Sequence, residues 1–249
     1  MNIILEIQYL GERYAGWQKQ KNAPSIQEEI EEAIFKTTGR NVELIGSGRT
    51  DSGVHALAQI ANFHIETKLE APRFKNALNY YLPWDIRIMR SSRCREDFHA
   101  RFCAKRKTYC YRINTNSVES PMEKGRVYFI GRKLNVAAMK LAASKFEGTH
   151  DFEAFRSEGS SALTTVRTIY NCEISERKGI VELRISGNGF LYNMVRIIAG
   201  TLVEIGKGKE IDIDELLHVP DRKKAGHTAP AHALFLERVD YGEEKLFAE

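Results

Sequence analysis

A chain of 249 residues with 43% hydrophobic and 28% charged side chains has an ordinary globular balance, which allows one large domain or two modest ones and argues against global disorder. Its formal net charge of +4 permits an anionic partner without demanding one. The four cysteines, Cys94, Cys103, Cys110 and Cys172, share no C-x-x-C spacing and no histidine pair completes a zinc pattern, so reduced thiols of a cytoplasmic protein are expected and a metal site is not.

The N-terminus turns acidic by Glu6, too soon for a signal peptide, and no apolar run is long enough to span a membrane. Asn2 to Leu10 alternates as a strand with one buried face. Gly11 to Gln20 is a loop rich in aromatics and amides, where Trp17 is expected to plug the core edge. A helix opens after Ser25, a capping residue with Glu28 at the capping-box position. It buries Ile26, Ile30, Ala33 and Ile34 and stops at Gly39. Val42 to Ile45 and Gln59 to Ile65 read as strands around a glycine-rich loop. Ala71 to Tyr81 is a second helix with Pro72 in its first turn, and Ile86 to Met89 is a short strand. Strand, helix, strand, strand, helix, strand is the split βαβ, ferredoxin-like order.

From Ser91 to Arg112 the chain is most basic. Arg93, Arg95, Arg101, Lys105, Arg106, Lys107 and Arg112 interleave with Phe98, His99, Phe102, Tyr109 and Tyr111. Such a pattern suits a nucleic-acid surface, cations for phosphates and rings for unstacked bases; it equally suits a strand edge guarded by charge. Lys107 to Ile113 is a strand with Tyr109, Tyr111 and Ile113 on one face. A helix from Leu134 to about Phe146, a loop from Gly148 to Arg156, and a hairpin of Thr165–Ile174 and Ile180–Ser186 around Lys178-Gly179 follow. Phe190 to Gly200 is an apolar helix carrying one cation, Arg196. A short helix opens at Asp212 or Asp214, and Ala233 to Val239 is the last strand. The second half repeats the order of the first. The expected fold is therefore α+β, two related halves, residues 1–103 and 104–249, joined without a flexible linker.

Two stretches draw attention for chemistry. Gly46 to Ala56 sets Arg49, Asp51, His55 and three hydroxyls among three glycines; by loop chemistry alone it is a glycine-rich turn with solvated Asp and Arg. Both halves also place a Gly-x-Gly turn after a strand, Gly46-Ser47-Gly48 and Gly187-Asn188-Gly189. A lone arginine on an apolar helix needs a carboxylate or a phosphate, or else snorkels to water. Asp51 is a candidate counter-ion for Arg196, and such a pair would keep Asp51 ionised as a nucleophile requires.

The run Gly48-Arg49-Thr50-Asp51-Ser52-Gly53-Val54-His55-Ala56 resembles the signature loop of the tRNA pseudouridine synthase A family. Further blocks resemble that family in order: Tyr14 to Gln18, Phe98 to Phe102, Tyr109 to Tyr111, Thr149 to Phe152, Gly187 to Arg196, and Thr228 to His232. The resemblance implies the pseudouridine synthase fold, two ferredoxin-like halves with mainly antiparallel sheets flanked by helices and a cleft between them. It implies a cofactor-free isomerase, working as a cytoplasmic homodimer, that converts uridine to pseudouridine at positions 38 to 40 of the tRNA anticodon arm. In that reading Asp51 is the nucleophile, Arg196 its ion-pair partner and Tyr109 the ring that stacks on the target base. Arg49 fills the space left by the flipped uridine, and Arg101, His99, Lys105 and Arg106 contact RNA. Asn193 departs from the pattern, since family members often carry His there. The competing expectations are a non-catalytic RNA-binding protein of the same fold, which has no use for a carboxylate facing a polyanion, and a nuclease, which would want clustered carboxylates and Mg²⁺.

Overall fold

In the computed structural model, which describes residues 1–159, 162–242 and 246–247, the alternation of the first residues becomes strand β1 (Asn2–Tyr9). It is buried on more than the one face expected: Ile4 and Asn2 are as covered as Ile3, Leu5 and Ile7. The cause is the segment near residue 98, whose carbonyls at Arg95 and Phe98 each accept from the Asn2 amide at 2.9 Å. Helix α1 (Ile26–Thr38) begins as its cap predicts, with Ser25 Oγ accepting from Glu28 N at 3.3 Å, and turns Ile26, Ile30, Ala33 and Ile34 inward. Strand β2 is only Ile45–Gly46, shorter than the expected Val42–Ile45. Side chains of α1 take over the ladder there: Gln27 Nε2 donates to Leu44 O and Leu44 N donates to Glu31 Oε1, both at 3.1 Å.

Strand β3 (His55–His64) starts four residues before the alternation does. A 3₁₀ turn over Ala71–Arg73 leads into α2 (Phe74–Tyr81). Strand β4 (Ile86–Cys94) outlasts the expected Met89, because its ladder with β1 continues to the pair Asn2↔Cys94. These strands run antiparallel in the order β4, β1, β3, with β2 on β3, which is the ferredoxin-like order anticipated from sequence.

The second unit is built on β5 (Arg106–Asn114), which buries Tyr109, Tyr111 and Ile113, the residues expected on one face, and Cys110 from the other. Strand β6 (Tyr128–Phe129) runs parallel to it. Helix α3 (Val136–Ser144) is capped by Asn135, whose Oδ1 accepts from Ala138 N at 3.0 Å. The stretch expected as a loop after it contains strand β7 (Gly148–Asp151), which pairs with β8 (Val166–Arg177). Four residues without apolar alternation carry no strand signal, so only the ladder reveals it. The hairpin to β9 (Ile180–Gly187) turns at Lys178 and Gly179, both at positive φ (52° and 77°), as a twisted two-residue turn requires. The antiparallel order is β5, β9, β8, β7.

Helix α4 (Met194–Gly206) starts later and ends later than expected. Asn193 takes the left-handed conformation at φ 61° and delays the start. Gly200, expected to end the helix, instead lets it approach the loop before residue 229: a Cβ there would lie 1.9 Å from His227 O. Helix α5 (Ile213–His218) is capped by Asp212, whose side chain accepts from Asp214 N and Glu215 N. The chain closes with β10 (Leu234–Asp240). By contacts the compact units are Met1–Lys105 with the segment from Leu236 onward, and Arg106–Phe235. Within the first unit β10 lies next to β3.

Candidate active site

In the first unit, the loop between β2 and β3 is held on every side. Ser47 N donates to Ile60 O at 2.7 Å, and the Ser47 hydroxyl donates to Gln59 Oε1 at 2.6 Å. The Gln59 amide reaches on to Gly48 O at 2.9 Å. Tyr9 shares a 2.8 Å hydrogen bond with Thr50 Oγ1, Trp17 N donates to Thr50 O at 3.0 Å, and Ser52 Oγ donates to Tyr14 O at 3.1 Å. Burial raises the Tyr9 phenol far above its ordinary range, so at neutral pH its oxygen stays protonated for that contact. Trp17, expected as a core plug, is 2% exposed.

Gly16 explains how close the two segments come. Its φ is 103°, and a Cβ would sit 2.5 Å from Thr50 O. Asp51 follows directly, half-buried, its own carbonyl accepting from Val54 N at 3.1 Å. Arg49, two residues earlier, is exposed and tethered: its Nε donates to Gln18 Oε1 at 3.2 Å, and Gln18 Nε2 donates to Gln27 Oε1 of α1 at 2.9 Å. Gln18 and Gln27 are contributors that sequence reading missed. One lies in the loop before α1 and the other in its first turn, and nothing local ties either to Arg49. His55 is buried, and its Nδ1 accepts from Gly11 N at 3.0 Å, a structural bond.

The basic segment of the same unit forms a turn at residues 98–103. His99 Nδ1 accepts from the backbone amides of Arg101 and Phe102 at 3.2 and 3.3 Å. Arg101 and Lys105 are exposed, and Lys105 N donates to Asp240 O at 2.8 Å.

In the second unit, Tyr109 is 8% exposed and meets Phe190 edge-on, ring centres 5.1 Å apart at 84°. Arg106 is exposed, its guanidinium 4.6 Å over the Tyr170 ring. Arg196 is the half-buried member of an otherwise buried run from Met194 to Gly200. It does not simply snorkel: Nε donates to Ala229 O at 2.8 Å and Nη1 donates to Asn193 Oδ1 at 2.6 Å. Asn193 Nδ2 in turn donates to Ser157 Oγ at 2.9 Å. Asn193 therefore has a definite task that sequence left open. Its left-handed backbone, which Asn tolerates, aims the side chain back at the guanidinium three residues on. Replacing Asn193 by Gly keeps that backbone and removes the clamp. The Arg196 side chain then loses one of its acceptors, and folding stability is expected to fall by about 0.5–1.5 kcal/mol. Denaturant melting of the two proteins checks it, and equal stability would sink the clamp. His232 Nε2 lies 3.1 Å from Val127 O, again a structural contact.

Two cavities, of about 350 Å³ lined by Glu6, Arg90 and Phe247 among others and about 600 Å³ lined by Arg112, Arg126 and Arg177 among others, include none of Arg49, Asp51, Tyr109 and Arg196. Among the described residues no group of His, Cys, Asp or Glu is arranged to hold a metal ion, and no helix is long and apolar enough to cross a membrane.

By its elements the chain is an α+β protein of mainly antiparallel sheet flanked by helices, a frame that many RNA-binding domains use. A family model described as tRNA pseudouridine synthase matches residues 6–103 and 142–242. Among curated relatives, tRNA pseudouridine synthase A of Acetivibrio thermocellus is 50% identical over 242 residues, covering 96% of this chain and 99% of that one. The protein of the same name from Thermoanaerobacter sp. is 46% identical over 242 residues, again covering 96% and 99%. tRNA pseudouridine synthase A 2 of Clostridium tetani is 48% identical over 245 residues, covering 96% and 98%. The chain belongs to the tRNA pseudouridine synthase family, and it is accordingly an isomerase that converts uridine to pseudouridine in tRNA.

Proposed function

We propose that this enzyme acts on uridines 38 to 40 of the tRNA anticodon arm, with the Asp51 carboxylate as its nucleophile. The target uridine leaves the stack. The bond from N1 to the ribose is broken, the uracil turns over, and a new bond forms from C5 to C1′. The C5 proton departs and N1 gains one, so the reaction is an isomerisation that needs no redox partner. Asp51 supplies the attack that frees the base, and the bond it makes breaks again before the product leaves, which regenerates the carboxylate. Arg196 is the cation that keeps this carboxylate ionised, Tyr109 is the ring against which the base stacks, and Arg49 occupies the gap in the RNA helix. His99, Arg101, Lys105 and Arg106 bind the RNA backbone and loop. In this scheme residues 1–103 bring the nucleophile, while residues 104–249 bring the stacking ring and the cation. A net charge of +4 is modest for a polyanionic substrate, so we propose a cytoplasmic homodimer that pools two basic surfaces.

One observation carries the reading. Asp51 remains half-exposed on a loop that Tyr9, Tyr14, Trp17 and Gln59 hold still, and a carboxylate presented this way is set for chemistry more than for packing. The non-catalytic alternative gives no reason for that arrangement. Position is tested by incubating an unmodified full-length tRNA transcript with the enzyme and mapping pseudouridine by carbodiimide-dependent reverse-transcription stops. Stops confined to positions 38 to 40 are expected; stops elsewhere in the tRNA would overturn the choice of site.

A further inference from the structure

We propose that Phe102 is a stacking platform for an unpaired base of the tRNA, a binding role separate from the uridine that reacts. The inference rests on tRNA being the substrate and not on the roles assigned to Asp51 or Tyr109. The turn that carries Phe102 is anchored from beneath by buried polar groups. Asn2 and Asn62 both donate to Phe98 O, at 2.9 and 3.2 Å. Ala100 N donates to Asn62 Oδ1 at 2.8 Å, and Tyr241 OH donates to Ala100 O at 2.7 Å. Inside the turn, Cys103 N donates to His99 O at 2.9 Å.

That anchoring treats two phenylalanines oppositely. Phe98 is 2% exposed and packs on Tyr241 with ring centres 5.2 Å apart, whereas Phe102, one turn on, is 74% exposed. A phenylalanine kept for packing would be covered as Phe98 is. Phe102 is instead backed by polar rings and charge: His99 lies against it at 4.2 Å and 30°, and the Arg101 guanidinium stands 5.6 Å from its centre. His99 is itself held in place, since its Nδ1 accepts the two backbone amides of Arg101 and Phe102. A flat apolar face in water, stiffened from below and flanked by the Arg101 guanidinium, matches a nucleotide: ring on ring, cation on phosphate. It does not match an apolar protein surface, which would leave Arg101 to be desolvated without an anion.

The test is filter binding of an unmodified tRNA transcript to the full chain carrying Phe102→Ala, Phe102→Leu or Phe102→Trp, with thermal melting of each protein alone. Phe102→Ala is expected to weaken binding roughly ten-fold or more, Phe102→Leu as much, and Phe102→Trp less than about three-fold, all at wild-type melting temperature. Leucine keeps apolar bulk and loses the flat face, so full binding by Phe102→Leu would overturn stacking. Wild-type affinity in Phe102→Ala would overturn the proposal outright. So would a change in the sedimentation of the RNA-free protein at unchanged tRNA affinity, which would assign this face to a second copy of the chain. Because binding is read without turnover, a failed nucleophile assignment at Asp51 leaves this result intact.

Discussion

Asp51→Asn is expected to abolish pseudouridine formation, by roughly 10⁴-fold or more, while tRNA binding stays within a few-fold of wild type. The amide has the shape of the carboxylate but neither its charge nor its nucleophilicity. The loop around it depends on other groups, such as Trp17 N on Thr50 O, Ser52 Oγ on Tyr14 O and Gln59 Nε2 on Gly48 O, so its course survives the exchange. Removing a negative charge that faces a polyanion gives RNA no reason to bind more weakly. Release of tritium from uridine labelled at C5 reads turnover, and filter binding reads affinity. A protein that lost both together would show Asp51 to be structural, and one that kept turnover would remove it from the chemistry.

Arg196→Ala is expected to lower turnover by about 10²- to 10³-fold with little change in tRNA affinity, and Arg196→Lys to recover only part of the loss. The side chain makes two bonds in different directions, Nε to Ala229 O at 2.8 Å and Nη1 to Asn193 Oδ1 at 2.6 Å, a fork that an ammonium cannot reproduce. Truncation also leaves Ala229 O without that donor, so a stability loss of about 1–3 kcal/mol accompanies it. Melting measured beside turnover separates the two effects. Added guanidinium ion is expected to restore part of the activity of Arg196→Ala at temperatures where the variant is folded. Wild-type turnover in Arg196→Ala would overturn the role proposed for it beside Asp51.

How far the sequence reaches can be judged from particular residues. Ser25 and Asp212 act as helix caps because capping chemistry is local, a side-chain oxygen and an amide two or three residues on. The Lys178-Gly179 turn and the buried stripe of α1 are local in the same sense. The misses have one cause. β2 is cut short by Gln27 and Glu31, more than ten residues away along the chain, and β7 exists only because β8 pairs with it. Helix α4 begins late because Asn193 is left-handed, and it passes through Gly200 because another loop comes up against it.

The same division holds for the candidate site. Residue types and their order along the chain determined the class of protein, its ferredoxin-like βαββαβ order, and the short list that contains Asp51, Arg49, Tyr109 and Arg196. Tertiary structure alone decided that Asn193 grips Arg196, that Gln18 tethers Arg49, and that Phe98 goes inward while Phe102 stays in water. Patterns written within a few residues follow from backbone geometry, which is the same in every chain. A hydrogen bond between distant segments depends on where folding brings them, and a single sequence does not spell that distance out.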